Sequence, residues 1–156
     1  MQKIIFVCLG NICRSPVAEG VALHLKNKHN LQVYIDSAGT AGYHVGEAPD
    51  PRTVANARRH GVDLSPLRAR QFSVLDFEKF DHIFTMDLGN YNTVVRLASN
   101  QEQRNKVKLL LEFVYKTKGL EVPDPYYGSE KDFEKVFTLV YKACEDLFCK
   151  LGFIKV

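Results

Sequence analysis

The chain has 156 residues, 46% of them hydrophobic and 25% charged, enough for one well-packed core and too few for two, so residues 1–156 are expected to form a single domain. A net charge of +3 without a long basic run argues against a dedicated nucleic-acid binder and only weakly for anionic partners. No apolar segment approaches the ~18 residues of a membrane span, and no charged leader with a long apolar stretch precedes the first element, so a soluble cytoplasmic protein with no membrane partner is expected.

Ile4, Ile5, Phe6 and Val7 form a short continuous apolar run, the signature of a strand buried on both faces. Ser15-Pro16 predicts a helix entry, with Ser15 as N-cap and Pro16 at the first helical position. Val17, Ala18, Val21, Ala22 and Leu25 then make the buried face of that helix. A second strand is expected over 33–35, running into Asp36-Ser37-Ala38-Gly39, and 40–50 reads as a long loop. Asp50-Pro51 opens a helix that Gly61 ends. A short helix over 73–77 precedes a third strand over 82–86. Asp87 caps a helix bearing Tyr91, Val94, Val95 and Ala98, and 107–110 is a fourth strand. After the loop 123–128, Ser129 and Asp132 resemble a capping box for a final helix. Alternating strand and helix signals imply an α/β fold: one open twisted sheet of four parallel strands with helices on both faces. Ligands of such sheets bind beyond the carboxyl ends of central strands, and Cys8 falls at one.

Residues 8–15, Cys-Leu-Gly-Asn-Ile-Cys-Arg-Ser, lie between that strand and the helix. A lone cysteine at a strand end is most often a small buried hydrophobe; its neighbours point elsewhere. Gly10 and Asn11 tolerate the left-handed backbone that lets successive amides converge on one point. The unpaired amides of the loop and first helical turn, together with the helix dipole, make an oxyanion cradle. Arg14 adds a planar fork for two phosphate oxygens, which Lys could not match. The same positive field favours the thiolate of Cys8. A nucleotide P-loop is excluded, because no Lys-Ser/Thr pair follows a glycine at the required distance.

Cysteines 8, 13, 144 and 149 form two Cys-x4-Cys pairs, which raises a rival reading as a four-thiolate zinc site or a disulfide framework. Against it, Phe133, Val136, Phe137, Val140, Cys144, Leu147, Phe148 and Leu151 repeat as the stripe of one amphipathic helix. On that helix Cys149 lies roughly 140° around from Cys144, with its Cα beyond ~7 Å, too far for a disulfide. No metal site is expected. Cys8 and Cys13, at the ends of a curled loop, suit a reversible protective disulfide.

A cysteine that accepts a phosphoryl group must expel an alkoxide or phenolate, so an acid on another loop is required. Asp124, between Pro123 and Pro125, is the candidate; although an Asp before Pro is a common turn residue, Tyr126 and Tyr127 beside it suit stacking on an aryl leaving group.

The chain resembles the low-molecular-weight protein tyrosine phosphatases. The match is carried by Val-Cys-Leu-Gly-Asn-Ile-Cys-Arg-Ser at 7–15, Asp-Ser-Ala-Gly-Thr at 36–40, Arg-His-Gly at 59–61, Met-Asp at 86–87 and Asp-Pro-Tyr-Tyr-Gly at 124–128. The resemblance implies a metal-independent, cofactor-free hydrolysis of phosphotyrosine or small aryl phosphates, with inorganic phosphate as product. Cys8 would be the nucleophile, Arg14 and the amides of Leu9, Gly10, Asn11, Ile12 and Cys13 the cradle, and Asp124 the acid. By family role Ser15 would hydrogen-bond the sulfur, while Asn11, Ser37 and His60 would keep the loop strained. Tyr43, Tyr126 and Tyr127, with Leu9, would line the pocket, and Tyr43 and His44 on the loop 41–50 would set substrate preference. A monomer, or at most a weak dimer, is expected. Two alternatives share the resemblance. Arsenate reductases of this architecture resolve their reaction with further cysteines near mid-chain, and none occurs here between 13 and 144. A phosphotyrosine-binding module without turnover would have no need of Cys8, Arg14 and Asp124 together.

Overall fold

The computed structural model describes residues 1–155. Strand β1 (Gln2–Cys8) leads through the loop into α1 (Arg14–His29), followed by β2 (Val33–Gly39), α2 (Pro51–Arg59), a one-turn α3 (Asp76–Lys79) and β3 (His82–Thr85). Then come α4 (Leu88–Leu97), α5 (Gln101–Asn105), β4 (Val107–Leu109), α6 (Leu110–Tyr115) and the long α7 (Glu130–Lys150). The strands form one parallel sheet in the order β2-β1-β3-β4. The chain winds outward from β1 to β2 and returns to the other side of β1 for β3, so the winding reverses beside β1, where a crevice opens at the strands' carboxyl ends.

Side chains alternate across β1, and each face of the sheet has its own core. Ile4, Phe6, Val33, Ile35 and Phe84 pack with Val17, Val21 and Leu25 of α1 and Phe137, Val140 and Leu147 of α7. Ile5, Val7, Ile83 and Val107 pack on the opposite face with Phe77, Phe80 and Val94. Each such fully buried side chain contributes roughly 1.5–3 kcal/mol, which is what holds β1 rigid beneath the crevice. Continuous apolar runs in β1 are thus explained by burial on both faces, as expected.

Most predicted elements are present, with four differences. Strand β2 runs on to Gly39 because Asp36–Gly39 stay in register with Ile5–Cys8. The approach there is close: a Cβ at Gly39 would sit 2.7 Å from the Leu9 carbonyl oxygen. Helix α1 starts at Arg14, one residue before the expected cap; Cys13 is the N-cap and makes no side-chain cap bond, because the Ser15 hydroxyl is turned inward to the loop. The short helix lies at 76–79 rather than 73–77, preceded by Ser73, whose N–H donates to Asp76 Oδ2 at 2.9 Å. Helices α5 and α6 were not predicted: five and six residues are too few to show a period, and α6 begins directly after β4. The caps fared better. Asp50 accepts from Arg52 N–H, Asp87 from Asn90 N–H, and Asp132 from Ser129 N–H. Gly61 takes φ +80°, just past the end of α2.

Candidate active site

Loop 9–13 curls over the end of β1, and its one non-glycine residue in the left-handed region is Asn11, φ 58°. That conformation disfavours most side chains by about 1–2 kcal/mol, and an asparagine can offset it with its own hydrogen bonds. Asn11 N–H points at Cys8 Sγ at 3.3 Å. Its side-chain oxygen accepts the Arg70 N–H at 3.0 Å. A main-chain amide can only donate, so this bond orients the Asn11 carboxamide, and its NH2 group must face Ser15 Oγ at 2.7 Å and Ser37 Oγ at 2.9 Å. Both hydroxyl oxygens are then acceptors toward Asn11, and their protons go elsewhere. Ser15 Oγ lies 3.0 Å from Cys8 Sγ and 3.5 Å from the Ala38 carbonyl, and toward a Cys8 thiolate, which can only accept, its O–H is the donor. Ser37 donates to Glu19 at 2.5 Å. The direction of the whole chain therefore ends in an O–H aimed at the sulfur, the polarity that stabilises a thiolate.

Arg14 is set on the other side of the sulfur. Its guanidinium, 3% exposed, donates to Asp87 Oδ2 at 2.7 Å and to the Val122 carbonyl at 3.1 Å, and lies 3.6 Å from Asp124. Burial works against the charge, but Cys8 and Asp87 more than compensate and hold the guanidinium more firmly protonated than usual. Asp87 thus does two things, capping α4 through one oxygen and fixing Arg14 through the other.

The walls of the cleft rise from these residues around a cavity of about 230 Å³ lined by Cys8, Leu9, Gly10, Ile12, Cys13 and Arg14 below and Tyr43, His44, Asp124, Tyr126 and Tyr127 above. Asp124 accepts from the Tyr126 N–H at 3.1 Å, a local turn that aims one oxygen back toward Arg14. Tyr126 and Tyr127 meet edge to face with ring centres 5.0 Å apart. Arg52 lies over Tyr126 at 5.4 Å and over Phe133 at 4.6 Å, and it is gripped by Asp50 through bonds of 3.0 and 2.9 Å. Asp50 N–H in turn donates to the Ile12 carbonyl, so the rim is tied to the floor. These bonds from Arg52 hold the Asp50 carboxyl below its ordinary range. His44 binds Glu47 at 2.7 Å through Nδ1.

Comparison with known proteins agrees with this geometry. The family model described as low molecular weight phosphotyrosine protein phosphatase matches residues 3–153. The chain belongs to this family. The human low molecular weight phosphotyrosine protein phosphatase is 42% identical over 146 residues, covering 92% of this chain and 91% of the human one. The Bacillus subtilis low molecular weight protein-tyrosine-phosphatase YfkJ is 38% identical, covering 97% and 96%. Among solved structures, a protein tyrosine phosphatase from Entamoeba histolytica superposes with a TM-score of 0.90 at 39% identity, covering 97% of each chain. This protein is accordingly a phosphatase of the tyrosine-specific class.

Within this phosphatase, the expected residues Cys8, Leu9, Gly10, Ile12, Cys13, Arg14, Tyr43, Asp124, Tyr126 and Tyr127 line the crevice, Asn11, Ser15 and Ser37 are buried behind its loop, and one residue lies apart. The exception is His60. It caps the end of α2, bonds Glu134 at 2.7 Å and stacks on Phe137 with ring centres 4.2 Å apart, so it braces α2 against α7 and does not support the loop. The supports that sequence reading missed are Glu19, Arg70 and Asp87's second role. Glu19 stands four residues after Ser15 on α1, hence on the same helix face, and that spacing was its available signal. Burial pushes its carboxyl up to about 7, against the bond from Ser37. Arg70 gave no such signal, because its partners Asp36 and Asp76 are distant in sequence. Its guanidinium bonds both at 2.9–3.2 Å, and those bonds outweigh burial and raise its pKa. All four cysteines are free. Burial pushes the Cys13 thiol up to about 12, whereas Cys144 is sealed in the core facing α1.

Proposed function

We propose that Cys8 attacks the phosphorus of a phosphotyrosine or small aryl phosphate, forming an S–P bond as the P–O bond to the phenol breaks. Arg14 and the amides of residues 9–13 hold the equatorial oxygens in the in-line transition state. Asp124 gives its proton to the departing phenolate. In the second step Asp124, now a carboxylate, takes a proton from water as that water attacks phosphorus; the S–P bond breaks, inorganic phosphate leaves, and the Ser15 O–H receives the returning thiolate. The needed positive charge comes from Arg14, the amides and the dipole of α1, so no metal ion or cofactor has a task in this scheme. Ser37 holds the loop through Asn11, and Tyr43, Tyr126, Tyr127 and Leu9 embrace the aryl ring. The observation that carries the reading is the directed hydrogen-bond chain ending at Cys8 Sγ with Arg14 and Asp124 in the same cleft.

Under the same proposal the enzyme is a single cytoplasmic domain, monomeric or weakly dimeric, acting on phosphoproteins. No helix among the described residues is long and apolar enough to cross a membrane. Peroxide converts the Cys8 thiolate to a sulfenic acid, and the neighbouring Cys13 thiol displaces water from it to give a disulfide that a dithiol can reduce. Arsenate reductases of this architecture use further cysteines near mid-chain; none occurs between 13 and 144, and Cys144 is sealed in the core. The test is release of nitrophenolate from para-nitrophenyl phosphate at mildly acidic pH with a chelator present. Turnover by the reduced protein that disappears in Cys8→Ser bears the proposal out; turnover that survives the substitution, or none in the wild type, sinks it.

A further inference from the structure

A second cavity, of about 280 Å³, shares Leu9, Arg14 and Asp124 with the catalytic cleft and extends from there past Thr40 to the first turns of α4. Its polar lining is not balanced. Arg14 is its one cation, and that guanidinium is already engaged by Asp87, Val122 and Asp124. The remaining polar groups are rich in oxygen acceptors. The carboxylates of Asp87 and Asp124 are 26% and 44% exposed. The Thr93 hydroxyl proton is directed to the Gly89 carbonyl at 3.0 Å, and its oxygen accepts a long bond of 3.4 Å from the Arg96 guanidinium. Asn90 is 4% exposed, and its side-chain oxygen is buried with no hydrogen-bond partner. Leaving such an acceptor unpaired is costly, so a ligand that brings a donor to it is favoured. The main cleft differs in kind, since its upper walls are largely aromatic.

We propose that this cavity is a subsite for a basic side chain, lysine or arginine, lying next to the phosphotyrosine in the polypeptide being dephosphorylated. The ammonium or guanidinium brings an N–H donor to the unpartnered Asn90 oxygen and a second positive charge to the partly exposed Asp87 carboxylate beside Arg14, and its apolar stem passes over Leu9, which is 46% exposed. Because the two cavities share Arg14 and Asp124, one peptide can occupy both. The proposal rests on the reading of the cleft as a phosphotyrosine site and adds a substrate preference to it.

The test uses phosphotyrosine peptides identical except for Lys, Ala or Glu at the flanking positions, with kcat/KM measured for the wild type, Asn90→Leu and Asn90→Asp. The wild type is expected to favour the Lys over the Glu peptide by about tenfold, the scale of a partly exposed charge-assisted contact. Asn90→Leu brings that ratio toward one, and Asn90→Asp raises it. Because the readout is a ratio, any general loss of activity cancels, and Asn90→Asp keeps the test alive if the leucine variant does not fold. A wild-type ratio near one overturns the subsite. So does a ratio that neither substitution moves, which leaves the cavity a water pocket. Loss of para-nitrophenyl phosphate turnover in the wild type is a separate failure, that of the catalytic reading itself.

Discussion

In the floor of the cleft, Asn11, Arg14, Ser15 and Ser37 are all buried and all paired, each through two or more hydrogen bonds. In the rim, Asp124 is 44% exposed and held by one local turn and one long ion pair, and Tyr127 is almost fully exposed. The two regions face different tasks. The phosphoryl group has one shape and one charge, so donors for it gain from being fixed in advance and need no reorganisation during the reaction. The leaving group varies from substrate to substrate, and the acid must first donate and then accept a proton, so its loop gains from freedom to adjust. The floor draws its rigidity from the doubly covered strand β1 beneath it; the rim beside Tyr126 is anchored from the surface, by Arg52 and its Asp50 link.

If that contrast holds, substitutions in the floor act on every substrate and those in the rim act according to the leaving group. The largest effect is expected from Cys8→Ser: turnover is abolished while inorganic phosphate still binds, which calorimetric titration checks, because the cradle survives without its nucleophile. Asp124→Ala is expected to slow cleavage of esters with poor leaving groups by about 10² to 10⁴, with a smaller loss for nitrophenyl esters; an equal loss for both would place the acid elsewhere. Asn11→Ala removes the carboxamide that orients Ser15 and leaves an alanine at φ 58°, so kcat should fall by about 10- to 100-fold for all aryl esters alike. A fall that depends on the leaving group would erase the distinction drawn above.

Glu19→Gln tests the far end of the same network through stability. Glu19 titrates at about 7 in the folded protein against an ordinary 4.5, so between those values the native state holds more protons than the unfolded chain. Wild-type stability from this group therefore falls as pH rises from 4.5 to 7 and levels off above, by on the order of 2 kcal/mol. The glutamine variant keeps an acceptor for Ser37 and loses this slope. Thermal unfolding of the two proteins at pH 5 and pH 8 should show their difference growing in favour of the variant at the higher pH. The smallest effect is assigned to Arg52→Ala, which frees Tyr126; losing an exposed cation over a ring is a weak contact, so kcat/KM should fall only about two- to fivefold, with phosphate inhibition unchanged.

Local chemistry explains what could be read without coordinates. The central strands β1 and β3 of this phosphatase show themselves because burial on both faces demands continuous apolar runs, and the caps at Asp50, Asp87 and Ser129 because a helix start needs a side-chain acceptor at a set spacing. Cys8, Arg14 and the loop between them are legible for the same reason: a cradle of consecutive amides is made from consecutive residues. Asp124 was legible only with its neighbours Pro123, Tyr126 and Tyr127. What tertiary structure alone decided is which distant groups complete the floor. Arg70 reaches Asn11 across 59 residues and Arg14 meets Asp87 across 73, while His60, adjacent to the expected network in sequence logic, turns instead to Glu134 on α7. Those choices depend on how helices pack over the sheet, and a buried donor or acceptor takes whichever partner that packing brings within about 3 Å.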